Sequence, residues 1–136
     1  MNAIKILVLG LLLGIVVGAG ESMAASKANN TRMDSAAGVK VKVILLNPKT
    51  DGDLRFELVL DTHSVNLESY DLKTISVLRD GSGNVYSPKA VENKGSDHHR
   101  QSTLVFAKPG GGAERLELVI KDVAGVKERI FRWDLP

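Results

Sequence analysis

Apolar and polar residues alternate with period two over most of the chain beyond residue 38. Val39, Val41, Val43 and Leu45 alternate with Lys40, Lys42, Ile44 and Leu46, and Leu54, Phe56, Leu58 and Leu60 alternate with Arg55, Glu57, Val59 and Asp61. Successive side chains of a strand point to opposite faces, so this pattern predicts two half-buried strands. Asn47 to Gly52 between them supplies Pro48 to fix φ and Gly52 to relax it, which makes a hairpin. The same reading gives strands over Thr74 to Leu78, Val85-Tyr86, Thr103 to Phe106, Leu116 to Lys121 and Arg129 to Leu135. Turns fall at Arg79 to Asn84, Pro109 to Gly112 and Asp122 to Gly125, a polar stretch runs from Lys89 to Gln101, and Ser64 to Tyr70 has room for one helical turn.

About seven short strands joined by Gly and Pro turns predict an all-β fold, an antiparallel immunoglobulin-like β-sandwich over residues 39–136. A small barrel is the alternative closure of the same strands. Trp133, the single Trp, shares a face with Phe131 and Leu135 and reads as a core anchor.

The amino end departs from this pattern. Met1 to Lys5 carries positive charge, Ile6 to Gly20 is uncharged and apolar, and Ser22 to Ser26 offers small residues. That is the layout of a secretory signal peptide over residues 1–25, with cleavage after Ala24 or Ala25. The apolar run is shorter than the ~20 residues of a membrane-crossing helix, so no span is expected once the signal is cleaved. Residues 26–38 are small or polar without apolar period and read as a flexible tail. The expected place of work is the periplasm or the cell exterior.

Composition narrows the chemistry. The 136 residues include no Cys, which excludes disulfide frameworks, thiol nucleophiles and sulfur-ligated metals. A formal charge of +2 and one Trp, two Tyr and three Phe do not make the basic, ring-bearing face of a nucleic-acid binder. No Gly-x-Ser-x-Gly elbow exposes a nucleophile. Asp80 to Asn84 spaces oxygens like a calcium loop, but Val85 and Val91 stand where that loop needs Gly and Glu. Gly110 to Gly112 has no Lys and helix to cradle phosphate. An enzyme is therefore not expected.

What remains is a set of imidazoles. The three histidines, His63, His98 and His99, each lie within two residues of an Asp, in Asp61-Thr62-His63-Ser64 and Asp97-His98-His99-Arg100. Both segments border strands, and strand ends gather at the poles of a sandwich. Imidazole suits copper and zinc, and carboxylates add charge or orient a ring. The candidate metal site is thus His63, His98 and His99 with Asp61, supported by Asp97 and Arg100, for copper or zinc. In the plain structural reading, His63 caps a turn, His98 and His99 sit in a solvated loop, and Arg100 pairs internally with Asp61 or Asp97. The domain then serves structure or docks an envelope or secreted protein.

The segments Leu60-Asp61-Thr62-His63-Ser64-Val65, Asp97-His98-His99-Arg100 and Arg129-Ile130-Phe131-Arg132-Trp133 resemble those of a group of small exported bacterial β-sandwich proteins, over most of Val41 to Leu135. The resemblance implies that both His segments belong to one module and supplies no substrate. In plan the chain is also loosely similar to periplasmic copper-resistance carriers, although it lacks their amino-terminal His and Met-rich copper motifs: Met23 and Met33 fall in the signal and the tail.

Overall fold

The computed structural model describes residues 29–95, 98–111 and 114–135. The signal segment, the first part of the tail and Asp97 lie outside them. Two antiparallel sheets face each other, as the sandwich reading requires and a single closed barrel does not. One has the order β1 (Thr31–Ala36), β2 (Val39–Leu45), β3 (Leu54–Thr62), β7 (His99–Phe106), β6 (Ala90–Asn93). The other has the order β5 (Val85–Tyr86), β4 (Ser76–Asp80), β8 (Arg115–Val123), β9 (Val126–Asp134). No helix among the described residues is long and apolar enough to cross a membrane.

The period-two pattern places the core. Val41 pairs with Leu60, Val43 with Leu58 and Leu45 with Phe56, all buried. Leu116, Leu118, Phe131 and Trp133 answer from the second sheet. Phe56 packs edge-on to Phe106, with ring centroids 5.8 Å apart, and lies 5.3 Å from the Trp133 ring. Trp133 is thus the core anchor expected of it.

Nine strands are present among the described residues where about seven were expected. The first addition corrects the tail: Thr31–Ala36 is β1, the edge strand on β2. It escaped an apolar-period reading because its inward residues are Arg32, Asp34 and Ala36, opposite Val43, Val41 and Val39. Arg32 donates from Nε to the carbonyl of Arg132 and sits over the Trp133 ring, while Trp133 Nε1 donates to the carbonyl of Asn30. The second addition, β6, pairs with β7 inside the stretch expected to be polar connection. A third difference is local. Thr74 and Ile75, expected in a strand, close a short helix α1 (Leu72–Ile75), because Asp71 caps it by accepting from Lys73 N and Thr74 Oγ1.

The β4–β5 hairpin turns on one carboxylate. Asp80, only 9% exposed, accepts from the backbone N–H of Ser82 and Asn84, from Asn84 Nδ2 and from the Tyr86 hydroxyl. The side chains of Asn84 and Tyr86 are the main causes that hold this carboxyl below its ordinary value, since they bond the ionised form best. A depressed folded-state value means the stabilisation is complete above the unfolded carboxyl value of about 3.9 and is lost as pH falls through the folded one. Asp80→Asn should therefore be less stable than the parent at pH 6, with the gap in urea midpoint narrowing as pH is lowered from 5 to 2. A gap that stays constant over that range would show that the carboxylate is not the anchor.

Candidate functional site

The pole at the ends of β3 and β7 brings the two His segments together. Antiparallel register sets Asp61 opposite His99, and one step beyond the ladder Thr62 N donates to the carbonyl of His98 at 3.0 Å. Asp61 therefore meets His99 through the sheet itself. Its carboxylate Oδ1 is bonded to His99 Nδ1, with side chains 41% and 67% exposed. A carboxylate only accepts, so Nδ1 carries the proton and Nε2 is left to face outward.

His63 reaches the same place by another route. Thr62 ends β3: its buried hydroxyl donates to the carbonyl of Gly38 and accepts from Ser64 N and Val65 N. This turn breaks the pleat at once. His63 lies beyond the last residue of β3, so strand alternation does not set its side chain on the face of Asp61. The ring still borders the same hollow, which is lined by Ser35, Lys40, Asp61, His63, His98 and His99. His63 and His98 also border an adjoining hollow with Asn66 and Glu68. All three histidines are exposed.

Among the described residues, no group of three or more His, Asp or Glu side chains is placed to hold a metal ion. Asp61 is spent on His99, and Asp97 lies outside the described residues.

Arg100 corrects its expected place in the site. It follows His99 on β7, so it faces the opposite side, opposite the core residue Leu60. Its Nη1 donates to the carbonyls of Leu67 and Tyr70, each at 2.7 Å, and pins the β3–α1 connection that carries His63. Those carbonyls, and not the Asp61 carboxylate, are what its Nη1 meets.

Sequence reasoning missed two neighbours. Ser35, Lys40, Asp61 and His99 form one row across β1, β2, β3 and β7 on the outer face of the sheet. Lys40 against Asp61 was readable in outline, because a hairpin with a short loop fixes its own register. Ser35 was not, since β1 was read as tail. Compared with protein-family models, curated proteins and solved structures, the chain matches none.

Proposed function

We propose that this chain is an exported binding or accessory module, working in the periplasm or outside the cell, whose ligand meets the Asp61–His99 pole. The ligand its donors fit best is a transition metal, copper or zinc. One observation carries this reading: the Asp61 carboxylate holds His99 by Nδ1. Metal-binding histidines are commonly held in this way, with the far ring nitrogen left for the ion. His98 and His63 border the same hollow and supply further nitrogen. Asp61 then serves as orienter, and binding requires the exposed His63 and His98 rings to turn toward His99 Nε2.

Calorimetric titration of the purified chain with copper(II) and zinc, beside thermal melting, is the test. Saturable binding should raise the melting midpoint, because an ion that binds only the folded form at 100 times its Kd adds about 2.7 kcal/mol. His99→Ala should abolish binding, and Asp61→Asn should weaken it by roughly 10–100-fold. No heat above buffer and no change in midpoint would end the metal reading.

A second reading is favoured by the polar and charged row from Ser35 to His99. In it the same pole docks an envelope or secreted protein without metal. Metal-independent binding that Lys40→Glu abolishes would select it.

A further inference from the structure

We propose that β1 is an exchangeable strand, and that a second copy of this chain can lend its β1 to the place that β1 fills here. Little apolar packing holds β1 down. None of its residues is buried, and only Ala36 among its three inward side chains is apolar. Its attachments include the ladder to β2 and polar contacts: Asp34 and the Ala36 carbonyl to Arg129, Arg32 to the Arg132 carbonyl and the Trp133 ring, and the Asn30 carbonyl to Trp133 Nε1. Every one of these can be made equally well by a strand from another molecule.

The place left behind favours such a strand. β2 carries Val39, Val41, Val43 and Leu45 with at most 1% exposure, so an uncovered β2 edge is apolar and has unpaired backbone groups. Edges of that kind recruit strands.

The hinge is built to open. β1 and β2 are joined by Ala37 at φ 51° and Gly38 at φ 74°. An alanine is strained in that left-handed region, and short hinges under strain invite exchange. Extending the chain at Ala37 relieves the strain and makes one strand from Thr31 to Leu45, about 50 Å long at the usual rise. Ala36, Ala37 and Gly38 are small enough to let two such strands pair closely across a two-fold axis. The inference stands whether or not the pole takes a metal.

The chain has no cysteine, which makes a clean test. Met33 is 59% exposed and pairs with Lys42 in the β1–β2 register. Full-length Met33→Cys and Lys42→Cys chains, mixed, unfolded, refolded together at high concentration and then oxidised, should give a disulfide-linked heterodimer. Its yield should exceed by about tenfold that of Met33→Cys mixed with Lys121→Cys, whose new thiol lies on the other sheet. Deleting Ala37 and Gly38 should convert the chain to a dimer by light scattering. Ala37→Asn, which tolerates the left-handed turn, should lower the exchanged fraction several-fold. A heterodimer yield no greater than that of the off-register control overturns the proposal, and so does a folded deletion variant that stays monomeric.

Discussion

Arg129→Ala should lower the unfolding free energy by about 3–5 kcal/mol, the range seen when one partner of a buried, hydrogen-bonded charge is removed. Arg129 is 2% exposed and stands inward on β9, between the sheets. Its Nη1 reaches Asp34 Oδ2 at 2.6 Å and the Val39 carbonyl at 3.2 Å. Its Nη2 reaches the carbonyls of Ala36 and Val123 at 3.0 and 3.3 Å. One guanidinium thus ties β1, the start of β2 and the end of β8 to β9. Only a planar fork with several donors can serve acceptors arranged around it in this way, so Arg129→Lys should also fail to restore stability. Arg129 Nε has no partner among the described residues and already costs something, and Asp34 is exposed enough to rehydrate when the arginine goes. Both facts pull the loss toward the lower end of the range. For a domain of about 100 residues, a loss of 3 kcal/mol shifts the melting midpoint by more than about 10 °C. Thermal melts of the alanine and lysine variants decide: a fall below about 2 °C for alanine would mean that the clasp contributes little.

Arg129 also shows where sequence reading stops. The alternation that places Phe131, Trp133 and Leu135 on one face places Arg129 on it too, so a buried arginine was legible from parity alone. Its partners were not, because Asp34 lies 95 positions away on a strand whose own inward face is polar. The reverse holds for β2, β3 and β8, whose apolar faces made their limits readable to within two residues, although Ile44, Val59 and Val119 at the alternate positions are buried as well. For the site, the residue types were legible and the register was not. Nothing local to Asp61 says that it will meet His99 rather than His98. The pairing is fixed by the β3–β7 ladder, and β4, β5 and β6 all lie between those strands in the chain. His63 lies off the ladder for a local reason: the hydroxyl of Thr62 bonds two following N–H groups and ends the strand one residue before it. That signal, a Thr whose hydroxyl can accept from the N–H groups two and three residues on, was present in the sequence, but it competes evenly with continued pleating.

The other large expected loss is Phe56→Ala, at about 3–5 kcal/mol. Phe56 is fully buried on β3 between Leu45 and Leu104, and its ring packs against two of the other core aromatics, Phe106 and Trp133. The edge-on contact with Phe106, at an interplanar angle of 86°, brings roughly 0.5–1.5 kcal/mol beyond burial. Neighbours on the two flanking strands hold the cavity open, because Leu45, Leu104 and Phe106 are fixed by ladders they cannot leave without losing backbone bonds. Phe56→Leu keeps most of the volume and should cost much less, about 1–2 kcal/mol. Trp133, the only Trp in the chain, rests against Phe56 at 5.3 Å and reports on the change through its fluorescence. The same indole holds β1 through the Asn30 carbonyl and the Arg32 guanidinium. A loosened Trp133 therefore weakens the edge strand before the body of the sandwich. Amide exchange in Phe56→Ala should accelerate more over Thr31–Ala36 than over Arg115–Val123, and equal acceleration of both would separate the aromatic cluster from the hold on β1.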